Sequence, residues 1–109
     1  MGSSVIRLSA VYTETAVFDL LLPDDSRSLK AKRSYIRPIL AGLRRFEVAV
    51  AEVGLNDQHG RAQLGVAVVG GDASHVREVI DACERYMTGR PEAELLSVRR
   101  RLYGADDDA

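Results

Sequence analysis

The chain has 109 residues, of which 46% are hydrophobic and 28% are charged, and its formal net charge is -1. This length and composition indicate one globular domain with a single core. The longest apolar runs are about four residues, far short of the roughly 20 that a membrane-spanning helix needs, so we expect no membrane partner. The N-terminus lacks the pattern of a signal peptide, and the single cysteine, Cys83, cannot form an internal disulfide. Both features favour the cytoplasm.

Basic residues are concentrated in one segment. Residues 27–46 carry a net charge of +7, and the rest of the chain carries -8. The seven basic residues are Arg27, Lys30, Lys32, Arg33, Arg37, Arg44 and Arg45. Such a segment is either a solvated helix face balanced by acidic residues nearby in space or an electrostatic footprint for phosphate groups.

The first half of the chain predicts a strand and then a helix. Residues 1–11 form a poorly patterned N-terminal extension, and alternating apolar residues predict a strand within 12–23. Ser28 is a suitable N-cap for a helix that begins at Leu29. Pro38 lies too deep for the first turn of that helix, so we expect a kink there or a break near Arg37.

The second half predicts a hairpin, a helix and a last strand. Residues 46–53 and 62–69 alternate as strands, with Phe46 at the start of the first, and the loop between them closes an antiparallel hairpin. A second helix begins after Asp72 or Ser74 and ends at Gly89. Residues 93–102 predict the last strand, and 104–109 form an acidic C-terminal tail.

The element order β-α-β-β-α-β predicts a ferredoxin-like α+β fold within residues 12–103. In this two-layer sandwich, both helices cover one face of a four-stranded antiparallel sheet. Alternation places three sets on the uncovered face: Val17, Asp19 and Leu21; Glu47, Ala49, Ala51 and Val53; and Gln63, Gly65, Ala67 and Val69. No aromatic residue is among them, so base stacking on the sheet is not expected. The small residues instead favour a homodimer through Ala49, Ala51, Gly65 and Ala67.

No catalytic, metal or cofactor site is evident in the sequence. His59 and His75 have no second ligand at a suitable spacing, and Cys83 lies on the apolar stripe of the second helix. The glycines before that helix lack the lysine of a phosphate-binding loop. The loop at Asp24 and Asp25 does not match that of acylphosphatases, which share this topology. We therefore expect a protein that is not an enzyme and binds no cofactor.

Four stretches of the chain resemble the YlxP-like family, domain of unknown function 503. They are "SLKAKRSYIRPILAGLRRF", "VAEV", "RAQLGVAVVGGDASHV" and "AELLSVRRRL", and the resemblance spans Tyr12 to Tyr103. It implies the ferredoxin-like fold and carries no established activity. Genes of the family commonly lie beside those of translation initiation and ribosome maturation factors, including ribosome-binding factor A, which implies a role near the ribosome or RNA.

The chain departs from the family at two places. The family motif usually has a glutamate where this chain has Ala31, and that glutamate would close a capping box with Ser28. Family members also tend to begin near Val11, so residues 1–10 are either an extension or an upstream start. We expect their deletion to leave the stability nearly unchanged.

Two functional hypotheses follow. The first is a non-enzymatic RNA- or ribosome-associated factor whose partner is ribosomal RNA or a ribosomal particle. It would contact phosphates through the basic residues Arg27, Lys30, Lys32, Arg33, Arg37 and Arg44. The second is a dimeric protein-interaction or small-molecule regulatory module that assembles through the uncovered sheet face, with the basic residues as a solubilising face.

Overall fold

A computed structural model describes residues 10–104, and its elements follow the predicted order β-α-β-β-α-β. They are β1 (Tyr12–Leu21), α1 (Leu29–Arg44), β2 (Ala49–Gly54), β3 (Arg61–Gly70), α2 (Ala73–Thr88) and β4 (Glu94–Tyr103). The strands form one sheet in the order β2-β3-β1-β4, and every neighbouring pair is antiparallel. The ferredoxin-like α+β fold is confirmed. Residues 1–9 of the predicted extension and 105–109 of the predicted tail lie outside the described residues.

The core lies between the sheet and the two helices. On β1 the alternate residues Ala16, Phe18 and Leu20 are buried, as the period-2 pattern predicts. On α2 the buried stripe includes Ile80, Cys83 and Met87, which recur at helical spacing. Within residues 10–104, neither helix is long and apolar enough to cross a membrane.

Both helices begin at capping side chains. The Ser28 hydroxyl oxygen accepts a hydrogen bond from the Ala31 backbone N–H at 3.0 Å, which confirms the predicted cap of α1. At α2 the cap is Asp72, whose carboxylate accepts from the Ser74 backbone N–H at 3.1 Å. Each cap satisfies one backbone donor that has no partner inside the helix.

Pro38 does not break α1, so the predicted break near Arg37 is wrong. The helix runs continuously from Leu29 to Arg44 with Pro38 inside it. Pro38 is exposed, whereas Ile36 and Ile39 on either side of it are buried against the sheet. Packing of these two residues keeps the helix continuous. The backbone hydrogen bond that Pro38 cannot donate is missing on the solvent-exposed side of the helix.

The strand predicted from Phe46 begins later, at Ala49. Residues 45–47 form a turn in which Glu47 has a φ of 61°, so Glu47 is not part of the uncovered sheet face. Phe46 is half-buried and meets Tyr86 of α2 edge to face, with ring centroids 5.7 Å apart. The chain needs this turn to leave the helix layer and enter the sheet, and alternation alone does not show where that change occurs.

Candidate nucleic-acid interface

Four basic side chains lie exposed along one side of α1, and we call them the basic ridge: Lys30, Arg33, Arg37 and Arg44. At 100° per residue they fall within a sector of roughly 60°, and at 1.5 Å per residue they extend over about 21 Å. None of the four forms a salt bridge with another residue of the described range 10–104. The ridge is therefore an accessible line of positive charge on one helix.

Packing of the neighbouring apolar stripe of α1 leaves the ridge in solvent. Ile36, Ile39 and Leu43 are buried, with at most 3% of each residue exposed. Gly42 sets the close approach to α2, since a Cβ at this position would lie 1.7 Å from the Tyr86 hydroxyl oxygen. A larger residue at 42 would displace the Tyr86 ring from its present position against α1.

Arg27 lies beside the ridge at the entry to α1. It is exposed, and its Nε donates a hydrogen bond to the Asp24 carbonyl oxygen at 3.2 Å. Asp25 of the same loop accepts a hydrogen bond from the Tyr35 hydroxyl of α1 at 2.5 Å, and this bond raises the pKa of Tyr35. The Asp25 carboxylate and the Asp24 backbone carbonyl thus both contribute hydrogen bonds at the helix entry.

Lys32 is not part of the exposed surface, which corrects its inclusion among the predicted phosphate contacts. It is 2% exposed. Its Nζ lies 2.7 Å from Glu52 Oε2 and donates to the Leu55 carbonyl oxygen at 2.7 Å. Lys32 therefore ties the start of α1 to the end of β2. Its angular position on the apolar side of the helix was the sequence signal for this burial.

The uncovered side of the sheet, which we call the open sheet face, brings the four predicted dimerisation residues together. Ala49 pairs with Ala67, and Ala51 pairs with Gly65. Together with neighbouring residues of β1 they line a shallow apolar depression of about 360 Å³. A Cβ on Gly65 would lie 2.8 Å from Val53 Cγ1, so the absence of a side chain lets Val53 lie across the sheet.

Sequence reasoning missed an ion-pair network on the helix side of the sheet. Glu14 is 3% exposed and accepts a hydrogen bond from Arg100 Nε at 2.7 Å. Arg100 also donates to Asp81 of α2 at 2.6 Å and to Glu84 at 3.3 Å. Glu14 at an inward strand position was the available signal, because a buried carboxylate requires a partner.

Cys83 and the histidines lie in different surroundings. Cys83 is fully buried, and this burial raises the pKa of its thiol, as for a core residue rather than a nucleophile. His59 and His75 are both exposed. Among residues 10–104, no group of three or more His, Cys, Asp or Glu side chains is placed to hold a metal ion.

Among the comparisons with known proteins, the family models agree with the predicted family. A solved structure titled "De novo designed protein Foldit4" is 16% identical to this chain with a TM-score of 0.49, and the match covers 86% of this chain and 96% of that one. No curated protein matches the chain. The model of a family described as "Protein of unknown function (DUF503)" matches residues 14–100. Because this match covers most of the sequence, the chain belongs to the DUF503 family.

Proposed function

We propose that this protein is a non-enzymatic, ribosome-associated factor that binds RNA phosphates through the basic ridge of α1. The observation that carries the proposal is the exposure of Lys30, Arg33, Arg37 and Arg44 on one sector without a carboxylate partner in residues 10–104. The genomic association of YlxP-like proteins with ribosome factors supports the same choice.

The ridge suits contacts with a phosphate backbone rather than with bases. Guanidinium and ammonium groups along a helix can each neutralise one phosphate, and such contacts fix position without selecting a sequence. The described part of the open sheet face offers no aromatic residue on its central strands, β1 and β3. Tyr103 lies on the edge strand β4 with the Arg101 guanidinium 4.9 Å from its ring centroid. The proposal therefore excludes base stacking on the sheet and relies on charge.

Charge-based binding predicts a steep dependence on salt. Four phosphate contacts correspond to a loss of affinity of roughly 50- to 150-fold between 50 and 200 mM salt. The test is co-sedimentation with ribosomal particles at those two salt concentrations. The Arg33→Glu/Arg37→Glu variant should bind at least tenfold more weakly at low salt and show a shallower salt dependence, since it removes two contacts and adds two repulsive charges.

The matched control reverses the same number of charges on the other helix. Arg77→Glu/Arg85→Glu changes two exposed arginines of α2 and alters the net charge equally. It should retain most of the binding if the ridge is the contact surface. Equal losses of binding in the two variants would mean that only the net charge matters and not the ridge. Absence of binding by the wild type would contradict the proposal. That last result would favour a protein-interaction or small-molecule regulatory module.

A further inference from the structure

The centre of the open sheet face carries no charged side chain. Two rows of residues cross the sheet there, and their members pair in register from β2 to β4. The first row is Ala49, Ala67, Thr15 and Arg101, and the second is Ala51, Gly65, Val17 and Arg99. Only the last member of each row, on the edge strand β4, is charged. An uncharged centre with a charged edge is the usual composition of a protein–protein interface.

Large apolar residues add to this surface at its ends. Val69 is 65% exposed and Val53 is 54% exposed, and both lie on the open sheet face. The only ion pair of this face within residues 10–104 joins Arg61 to Asp19 at 2.6 Å, near one end of the sheet. The apolar area between these features is only shallowly concave, because its central residues are small, and a broad, shallow apolar surface suits a second sheet better than a helix.

The dimensions of the face match a small but specific interface. Three of the strands have ten residues and β2 has six. With a rise of about 3.4 Å per residue and a strand spacing of about 4.8 Å, the face measures about 30 Å by 19 Å. Two such faces in contact would bury roughly 1,000–1,200 Å², at the low end of specific interfaces and adequate for micromolar affinity.

We propose that a second copy of this chain packs on the open sheet face, about a twofold axis that is parallel to the strands and passes between β1 and β3. This symmetry places β3 of one copy over β1 of the other, so the uncharged centres meet. It also places β4 of each copy over β2 of the other. The arginines Arg99 and Arg101 then face the uncharged residues Ala51 and Ala49 of the second copy.

Charge selects this axis over the other twofold axis in the plane between the sheets. An axis perpendicular to the strands would place β4 over β4 and bring Arg99 and Arg101 of both copies together, which costs affinity through like-charge repulsion. The axis parallel to the strands keeps the two arginine pairs at opposite edges of the interface. The twist of packed sheets, about 30°, shifts the edge strands by less than the spacing between rows.

Sedimentation equilibrium from low to high micromolar concentration tests the dimer with three substitutions in one row. Ala67→Glu places an unpaired carboxylate at the centre and should raise the dimer Kd by about 100-fold or more. Ala49→Glu places a carboxylate opposite Arg101 of the second copy and should leave the Kd within about threefold. Ala49→Arg places like charges together at the same position and should raise the Kd by about tenfold or more.

The matched control is Ala41→Glu, which makes the same change at an exposed position of α1, on the other side of the molecule. It should leave the Kd unchanged, and circular dichroism should show that all variants are folded. A monomeric wild type, equal effects of Ala49→Glu and Ala49→Arg, or a loss in Ala41→Glu equal to that in Ala67→Glu would overturn the proposal. The sedimentation samples contain no RNA, so their outcome does not depend on whether the basic ridge binds RNA.

Discussion

Lys32 and Arg33 are adjacent basic residues with opposite surroundings. Lys32 is buried and paired with Glu52, whereas Arg33 is exposed on the basic ridge. The difference follows from the rotation of about 100° between successive helix residues, which turns one side chain toward the sheet and the next toward solvent. A run of basic residues is therefore a mixture of structural and accessible charges, and each residue must be placed separately.

Asp19 has the most strongly paired carboxylate of the open sheet face. The hydrogen bond from Arg61 lowers the pKa of Asp19 below its ordinary value of 3.8, against the raising effect of partial burial. Gln63 and the charge of Arg99 lower it further. A lowered folded-state pKa stabilises the fold above the unfolded-state pKa, and this stability is lost as the pH falls through the folded-state pKa.

Asp19→Asn should therefore reduce the free energy of unfolding at neutral pH and have a smaller effect in acid. We expect the urea-unfolding curves of wild type and variant to converge as the pH falls below about 4. Arg61→Gln removes the main cause of the lowered pKa of Asp19. The free energy of unfolding of this variant should therefore also depend less on pH in the acid range than that of the wild type. A constant stability difference between Asp19→Asn and wild type across this pH range would contradict the assignment.

At the scale of elements, α1 is a continuous helix although it contains a proline that lowers its stability. Pro38 is exposed in a continuous helix and cannot donate a backbone hydrogen bond to the Ser34 carbonyl oxygen. The buried neighbours Ile36 and Ile39 keep the helix on the sheet despite this loss. The proline therefore lowers the stability of α1 without ending it.

Pro38→Ala should stabilise the protein by about 1–2 kcal/mol in chemical denaturation. The restored hydrogen bond and the relief of crowding outweigh the greater freedom of the unfolded chain, which is about 0.4–1 kcal/mol. Pro38→Gly is the control, since it restores the N–H but should gain about 1 kcal/mol less than alanine. A loss of stability in Pro38→Ala would show that the proline ring makes contacts that exceed the hydrogen bond.

At the scale of the whole molecule, Arg100 joins the last strand to the first strand and to α2. Its guanidinium contacts Glu14 of β1 and both Asp81 and Glu84 of α2. Burial lowers the pKa of Arg100, but the hydrogen bonds from its guanidinium to Asp81 and Glu14 raise it more, so the side chain stays charged. One residue thus holds three elements in position.

Arg100→Ala should destabilise the fold by about 3 kcal/mol, because it leaves the Glu14 carboxylate buried without its partner. Arg99→Ala, at the neighbouring position on the opposite side of the sheet, should change the stability by no more than about 0.5 kcal/mol. Thermal or urea unfolding measures both. Glu14→Gln/Arg100→Met should recover part of the loss, and failure of that recovery would argue against the unpaired carboxylate as the cause.

The two proposed surfaces lie on opposite sides of the molecule. The basic ridge is on the outer side of the helix layer, and the open sheet face is on the far side of the sheet. A dimer through the open sheet face would leave both ridges exposed on its outer surfaces. The two proposals are therefore geometrically compatible, and the substitutions that test them lie on different surfaces.

The sequence by itself determined the element order, the inward and outward strand positions apart from Glu47, and the cap at Ser28. These features depend on residues within one or two turns, where periods of 2 and 3.6 act directly. The four residues of the basic ridge could be placed by the same angular argument. The same argument places Lys32 on the apolar side of the helix, but the predicted phosphate contacts still included it, because a helical angle does not show whether the ammonium group reaches solvent or a buried partner.

Only the tertiary structure decided the features that depend on distant residues. Lys32 is buried because the fold brings Glu52 and Leu55 to it, and Arg100 meets Glu14 across 86 positions of the chain. The continuity of α1 through Pro38 likewise depends on packing against the sheet rather than on local propensity. Burial and ion pairing are properties of the assembled layers, so the helical and strand periodicities alone could not determine them.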